Sequence, residues 1–229
     1  MMTKCKVCGY ENQISFQTKI LNKYDISYYK CPKCEFIQSQ EPFWIKEAYK
    51  EGVSDFDVFT ASRSFLNSKI SSRIIKLYFA DKEKFLDYGS GTGLMVRLMR
   101  DAGYDFYAYD PYCTNVFSKP FDINGLNSNF KNFELVTAFE VFEHFQDPIK
   151  DIEDIFSYSK SILFSTSLQP SKKVTTDNWD YINPLQGQHI SLYSIETLKF
   201  IAEKYSCNLY TNGYCLHLLT PAKLFLPSV

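Results

Sequence analysis

The sequence predicts an α/β fold, in which a mostly parallel, doubly wound sheet ends in an antiparallel hairpin and follows a small cysteine-bearing module. From residue 84 onward, apolar runs of strand length alternate with amphipathic stretches of helix length. This alternation favours βαβ units and a parallel sheet covered on both faces. Near the end of the chain, Asn212-Gly213 separates two alternating apolar runs, which is a strong hairpin signal. The cysteine-bearing module is predicted from two C-x-x-C pairs within the first 34 residues.

The composition is that of a folded globular protein. The chain has 229 residues, of which 45% are hydrophobic and 17% aromatic, enough for one medium domain with a real core. Its formal net charge of −1 gives no general attraction to nucleic acid or to anionic membranes. No apolar run reaches the roughly 18 residues that cross a bilayer, and the first residues lack the apolar core of a signal peptide. We expect a cytoplasmic protein without membrane association, and the oligomeric state stays open.

The first module carries four cysteines with the spacing of metal ligands, Cys5, Cys8, Cys31 and Cys34. Each C-x-x-C pair can turn two thiolates toward one ion, and two pairs complete a tetrahedral Zn²⁺ site. A thioredoxin-like redox site would need a βαβ context that this segment lacks. We therefore expect a structural zinc ion, with no position open to substrate, in a module that needs its metal to fold.

Three domains are predicted along the chain: a cysteine module over residues 1–40, a helical connector or lid over 41–80, and the main α/β domain over 81–229. In the connector, residues 62–80 have apolar side chains near a 3.6-residue period, which predicts an amphipathic helix.

Within the main domain each element has a local signal. The pattern predicts strands at 84–89, 105–110, 133–139 and 161–167, helices at 92–103, 147–160 and 194–205, and a hairpin at 208–220. Gly103 closes the first of these helices, while Asp147 and Pro148 suit the N-cap and first position of the second.

The segment FLDYGSGTG (residues 85–93) places Gly89, Gly91 and Gly93 directly after a predicted strand. A dinucleotide fingerprint needs its third glycine where this chain has Leu94. A triphosphate-binding loop needs Gly-Lys-Ser/Thr, which is absent here. Neither a pyrophosphate nor a triphosphate is therefore the favoured ligand of this turn.

What remains is a D-x-G-x-G-x-G turn between a strand and a helix, with Asp110 at the end of the next strand. A carboxylate at that position can accept hydrogen bonds from both hydroxyls of a ribose. A ligand of such a sheet binds at the carboxyl ends of the strands. The pattern thus favours a nucleoside cofactor without a phosphate chain.

Four segments, FLDYGSGTG, YAYDP, FELVTAFEVFEHFQDP and ILFSTS, resemble the successive motifs of class I S-adenosylmethionine-dependent methyltransferases. The resemblance covers about residues 80–215 and implies a Rossmann-like, seven-stranded sheet and S-adenosylmethionine as cofactor. Together with the cysteine pairs, the stretch W-x-Y-I-N-P-L-x-G-Q-H-I-S-L-Y-S is similar to zinc-ribbon-bearing methyltransferases of surface-glycan and sugar-nucleotide pathways.

The resemblance implies a set of cofactor-binding residues. The glycine turn would hold the methionine part, the end of the second strand the ribose, the next two residues the adenine, and the end of the third strand the sulfonium region. These residues are Asp87, Gly89, Gly91 and Gly93, then Asp110, then Pro111 and Tyr112, and then Phe139 and Glu140. Arg63 and Tyr49 are the candidates for the cofactor carboxylate.

A hydroxyl acceptor would need a base as the new bond forms. Of the three histidines, we favour His189 over His144 as this base and expect His217 to be structural. Tyr193, Glu143 or the absence of any base are the options that remain.

The acceptor is predicted to be a small polar molecule with stacking surface, because the 174–193 loop is poor in Lys and Arg and carries Trp179, Tyr181 and Tyr193. A sugar nucleotide, another nucleotide-activated precursor, or a phosphoramidate-type capsule modification fits this description. O-methylation is favoured over C- or N-methylation of a sugar. A zinc-ribbon ribosomal RNA methyltransferase and a non-catalytic zinc-binding interaction module are the alternatives, and nucleic acid is disfavoured by the overall charge.

Overall fold

The structure, a computed structural model, describes residues 3–49, 59–125 and 131–225. Its described residues divide into two compact units, each assembled from three separate stretches of chain. The first unit takes its residues from 1–51, 140–152 and 165–217, and the second from 52–139, 153–164 and 218–229. The domain boundaries expected from the sequence stay a prediction, and residues 50–58 of the expected connector lie outside the described part.

From residue 60 onward, and apart from a two-residue strand at Ser191–Leu192, the strands and helices follow the order and type that the sequence predicts. The strands are β1 (Gln13–Ile20), β2 (Tyr24–Lys30), β3 (Ile37–Ser39), β4 (Lys84–Tyr88), β5 (Asp105–Tyr109), β6 (Leu135–Phe139), β7 (Ile162–Ser165), β8 (Ser191–Leu192), β9 (Asn208–Thr211) and β10 (Leu216–Thr220). The helices are α1 (Ile45–Ala48), α2 (Thr60–Tyr78), α3 (Leu94–Asp101), α4 (Pro148–Phe156) and α5 (Ile195–Lys204). Among the described residues, no helix combines the length and apolar character that a bilayer crossing requires.

The first unit contains a four-stranded antiparallel sheet in the order β1-β2-β3-β8. Its third pairing joins distant parts of the chain, since Ile37 lies opposite Leu192. The buried core beneath the sheet likewise combines the cysteine module with the 174–192 segment; it comprises Phe16, Ile20, Ile26, Tyr28, Ile37, Trp44, Val174, Ile182, Ile190 and Leu192. The cysteine module and the predicted acceptor loop therefore share one hydrophobic core.

The larger sheet has the order β5-β4-β6-β7-β10-β9, with β4 parallel to both β5 and β6. It is the mostly parallel sheet with an antiparallel terminal hairpin that the sequence predicts. Six strands rather than seven are formed by the described residues. On the outer side of β5 the described part of the chain forms one isolated parallel bridge, between Ala108 and Asp122. Asp122 lies between 3₁₀ turns at Lys119–Phe121 and Ile123–Gly125, so the described residues on either side of it are not extended.

Candidate active site

The glycine turn between β4 and α3 has the backbone that its sequence predicts. Gly89, Gly91 and Gly93 have φ angles of 73°, 53° and 80°, which L-residues rarely adopt. A Cβ built on Gly93 would lie 2.3 Å from side-chain oxygens of Asn115 and Ser118, whereas one on Gly91 would meet no atom within 4 Å. The turn is thus closely packed at its helical end and open at Gly91.

Asp110, directly after β5, ties this turn to the neighbouring strand. Its Oδ2 accepts a hydrogen bond from the Gly91 N–H at 2.8 Å. Its Oδ1 accepts from the N–H groups of Tyr112 and Cys113, each at 2.8 Å. The carboxylate is therefore held in a fixed orientation at the carboxyl ends of β4 and β5. Pro111 and Tyr112 follow at the surface, and 83% of Tyr112 is exposed.

Asp87, near the end of β4, is a buried acid. Its side chain accepts a hydrogen bond from Thr137 Oγ1 at 2.6 Å. Burial raises the pKa of Asp87 to about 7; the Thr137 hydrogen bond acts to lower it, and the Asp110 carboxylate adds a smaller upward effect. Thr137 was not among the predicted site residues, although it is a polar residue within the apolar run LVTAF.

Glu140, the residue after β6, has a left-handed backbone with φ of 56°. For a residue other than glycine this conformation is strained, and such strain concentrates at functional sites. Ser165 holds the residue twice, because its Oγ accepts from the Glu140 N–H at 2.8 Å and donates to Glu140 Oε1 at 2.5 Å. Glu140 is exposed, whereas the preceding Phe139 is half-buried.

His144 and His189 lie side by side in the first unit, with 5.1 Å between ring centroids. Nδ1 of His189 is hydrogen-bonded to the carbonyl oxygen of Tyr181. Nδ1 of His144 lies 3.2 Å from the carbonyl oxygen of Gln188 and 2.8 Å from the hydroxyl of Tyr49. A carbonyl oxygen only accepts, so Nδ1 of His189 carries the proton and its Nε2 keeps the lone pair. On His144 the Tyr49 hydroxyl, which can donate or accept, is the closer partner of Nδ1. Burial lowers the pKa of both histidines, to about 3 for His144, and both are therefore neutral near pH 7.

Glu143 completes this cluster and was only an open alternative in the sequence analysis. It is fully buried, and neither of its carboxyl oxygens has a hydrogen-bond partner. Burial is the largest cause that raises the pKa of Glu143 to about 8, and repulsion from the Glu140 carboxylate adds to it. The Tyr181 and Thr166 hydroxyls and the backbone of Glu143 act to lower this pKa, although neither hydroxyl forms a hydrogen bond of normal geometry with the carboxyl group.

Three further residues singled out in the sequence, Tyr193, Arg63 and His217, are buried or half-buried. Tyr193 is fully buried and its hydroxyl donates to the Phe142 carbonyl oxygen at 3.1 Å, which places it in the core rather than on an open surface. Arg63 is half-buried in the first turns of α2. His217 is buried, and both of its ring nitrogens are engaged in hydrogen bonds.

The four cysteines of the first module converge as their spacing predicts. Their Sγ atoms all lie within 4.8 Å of one another, with 3.6 Å between Cys5 and Cys34 and 3.4 Å between Cys8 and Cys31. Four sulfurs at about 2.3 Å from a tetrahedral ion would be about 3.8 Å apart. The arrangement could therefore hold a metal ion, and the residues fit a closed four-thiolate site.

The cysteine module also positions the segment that carries His189. The hydroxyl of Tyr28 donates to the His189 carbonyl oxygen at 3.0 Å. Two residues before His189, the carbonyl oxygen of Gly187 accepts a hydrogen bond from Trp44 Nε1 at 2.8 Å. Nothing local in the sequence indicates these contacts, since each joins residues more than 140 positions apart.

Comparison with known proteins agrees with this architecture. A family model described as a methyltransferase domain matches residues 62–212. No curated protein is significantly similar to the chain. The solved structure of magnesium protoporphyrin IX methyltransferase from Synechocystis PCC 6803, with S-adenosylhomocysteine bound, is similar with a TM-score of 0.52 at 12% identity, over 77% of this chain and 92% of that one.

Two further solved structures are of the same kind. A complex of the Haloferax volcanii Trm112 methyltransferase activator with a methyltransferase gives a TM-score of 0.52 at 10% identity, over 80% of this chain and 99% of that one. The mitomycin 7-O-methyltransferase gives 0.50 at 11% identity, over 78% of this chain and 60% of that one. At such identities the likeness shows the fold alone.

The family match covers more than half of the chain and includes the glycine turn, Asp110, Glu140 and His189. The chain therefore belongs to the methyltransferase-domain family and is an S-adenosylmethionine-dependent methyltransferase.

Proposed function

We propose that this enzyme transfers the methyl group of S-adenosylmethionine to a hydroxyl of a small nucleotide-activated acceptor. A sugar nucleotide or a phosphoramidate-type precursor of a bacterial capsule or surface polysaccharide is the acceptor class. The observation that carries the proposal is the pair of neutral histidines, His144 and His189, each with Nδ1 tied to a backbone carbonyl. A hydroxyl must lose its proton as it is methylated, and a neutral imidazole nitrogen can receive it. Four cysteines that converge as one group of metal-ligand type, instead of pairing as disulfides, are typical of a reducing compartment and support a cytoplasmic location.

For the cofactor, the proposal rests on the open turn at Gly91 and on Asp110. Asp87 and the three glycines would surround the methionine part, Asp110 would bind the ribose hydroxyls, and the exposed Tyr112 would stack on the adenine. Phe139 and Glu140 would lie at the sulfonium region. Arg63 remains the candidate for the cofactor carboxylate, while the hydrogen bond of Tyr49 to His144 supports a different role for that tyrosine.

Titration calorimetry tests the cofactor assignment. We expect S-adenosylhomocysteine to bind in the micromolar range and NAD not to bind. Asp110→Asn should weaken the binding of S-adenosylhomocysteine by about 2 kcal/mol, which is roughly 30-fold in affinity, as expected for the loss of one charged hydrogen-bonding group. Asp101→Asn, an exposed ion-pair change on α3, is the matched control and should bind normally. Equal affinity of the Asp110 variant and the wild type would remove Asp110 from the ribose site.

The aromatic residues of the acceptor loop support a nucleotide-bearing acceptor. The rings of Trp179 and Tyr181 have centroids 5.3 Å apart, and Tyr181 lies 4.6 Å from His189. Such rings offer a stacking surface to a planar base. Methyl transfer from labelled S-adenosylmethionine to a panel of nucleotide sugars and to ribosomal RNA fragments tests this class. Labelling of RNA alone would establish the zinc-ribbon RNA methyltransferase alternative instead.

His189 is the first candidate for the group that receives the proton, and His144 is the second. His189→Ala should reduce turnover by roughly 100-fold or more, the typical share of general-base catalysis, while S-adenosylhomocysteine still binds. Normal turnover of this variant would remove His189 from the reaction.

We also propose that Cys5, Cys8, Cys31 and Cys34 hold one structural zinc ion. Four thiolates fill its tetrahedral coordination, so that the ion stabilises the module and takes no part in chemistry. Elemental analysis should find one zinc per chain in the wild type and none in Cys8→Ser.

A further inference from the structure

Three side chains outside the cysteine module form a second group of metal-ligand type. One carboxylate oxygen of Glu143 and one ring nitrogen each of His144 and His189 all lie within 4.8 Å of one another. We propose that Glu143, His144 and His189 bind one divalent transition-metal ion at a site distinct from the cysteine cluster.

The orientation of the two imidazoles supports the site. Metal-binding histidines typically donate their second ring N–H to a carbonyl or carboxylate, which fixes the ring and leaves the other nitrogen for the metal. His189 has this arrangement with the Tyr181 carbonyl, and His144 with the Gln188 carbonyl. Tyr49 adds a second contact to Nδ1 of His144. Each histidine can thus offer one ring nitrogen to the same ion.

Glu143 supplies the independent observation. A fully buried carboxyl group whose two oxygens lack any hydrogen-bond partner is rare in folded proteins and needs an explanation. A cation between Glu143 and the two imidazoles would satisfy that group. Glu140, exposed and fixed by Ser165, supplies a second carboxylate next to the cluster and adds to its negative potential.

The donor set favours a particular class of ion. Two imidazoles and one carboxylate suit zinc, manganese, iron or cobalt, whereas magnesium and calcium prefer oxygen ligands alone. Three protein ligands leave coordination positions open, as in catalytic rather than structural sites.

The consequence for the reaction rests on the function proposed above. An ion with open positions would bind the acceptor oxygen and increase the acidity of its hydroxyl. The oxygen then forms the new bond to the methyl carbon, the sulfur–carbon bond breaks with its electron pair left on sulfur, and the hydroxyl proton passes to water. Bound to this ion, His189 and His144 would act on the hydroxyl through the metal instead of receiving its proton themselves, so that His189→Ala lowers turnover under either account.

Manganese binding to the zinc-loaded protein tests the site without an activity assay. The decrease of the free Mn²⁺ signal in electron paramagnetic resonance should show one ion bound per chain. Glu143→Gln should weaken this binding by roughly 100-fold or more, since even an outer-shell partner contributes about 10–100-fold. Glu196→Gln, an exposed carboxylate change on α5, is the matched control and should bind as the wild type does.

Two results would overturn the proposal: no Mn²⁺, Co²⁺ or additional Zn²⁺ bound by the wild type, or wild-type binding by Glu143→Gln. Because Glu143 is buried, His144→Asn is the second variant, and retained S-adenosylhomocysteine affinity identifies variants that fold. Tyr49→Phe should weaken the binding of Mn²⁺ by about 10-fold, because the hydroxyl that contacts His144 is lost. Failure of the proposed function appears separately, as absent methyl transfer to every nucleotide sugar of the panel by a protein that still takes up Mn²⁺.

Discussion

Gly91 and Gly93 both require a positive φ, yet they differ in their surroundings. The position of a Cβ on Gly93 is occupied by the Asn115 and Ser118 side chains, which are buried and hydrogen-bonded to each other. Gly91 has open space at the same position. At Gly93 a side chain is disfavoured both by the positive φ and by the neighbouring side chains. At Gly91 it is disfavoured by the positive φ alone.

Substitution by alanine separates these constraints. Gly93→Ala should lower the free energy of unfolding by about 2–4 kcal/mol, from the left-handed backbone and from the overlap with two fixed side chains. Gly91→Ala should lose only about 1–2 kcal/mol. Urea unfolding of both variants measures the difference, and equal losses would contradict the steric argument.

Asp87 gives the protein a pH dependence at the same scale. Burial raises its pKa to about 7 from an ordinary 3.8, so between these values the folded state holds a proton that the unfolded chain has released. Stability should therefore fall as pH rises through this window, by up to about 1.4 kcal/mol per pH unit, and level off above pH 7. Asp87→Asn, which keeps an acceptor for Thr137, lacks this dependence.

The comparison to make is the urea midpoint of wild type and Asp87→Asn at pH 5 and pH 8. The variant should gain stability relative to the wild type at pH 8, while other titrating groups, such as Glu143, cancel in the difference. A constant difference across this range would show that Asp87 is ionised throughout.

At the scale of elements, β3 and β8 are the link between the cysteine module and the histidine cluster. β3 begins three residues after Cys34 and pairs with β8, which begins two residues after His189. The Tyr28 hydroxyl and the Trp44 indole each bond a carbonyl of the 187–189 turn. Order in the cysteine module is thus transmitted directly to the backbone of His189.

Removal of the proposed zinc should consequently disturb the histidine cluster. In Cys8→Ser we expect faster hydrogen exchange in β3 and over residues 187–192, because their partners lose the ion that orders them. Amides of β4 and β5 should be unaffected. Cys207→Ser, whose thiol lies outside the cluster, is the control, and unchanged exchange in Cys8→Ser would refute the coupling.

At the scale of the whole molecule, features set by residues close together in the sequence could be predicted, whereas contacts between distant residues could not. The alternation of elements, the glycine turn, the Asn212-Gly213 hairpin and the cysteine cluster follow from patterns within a few residues, and the structure contains all of them. The seventh strand that the resemblance implied is not formed by the described residues, where turns on both sides of Asp122 leave a single bridge to Ala108. The convergence of Glu143 with His144 and His189 depends on contacts across more than 40 positions, which leave no periodicity in a sequence.

The discontinuous makeup of the first unit has a consequence for the order of events during synthesis. All four cysteines are synthesised by residue 34 and leave the ribosome long before the 174–192 segment that completes their core. The nascent module can bind its ion at once, yet Ile20, Ile26, Ile37 and Trp44 must wait for most of the chain before they are covered. Early metal binding would then hold the exposed apolar side chains of the module in the arrangement that the 174–192 segment later covers. It would also make them less prone to associate with other nascent chains.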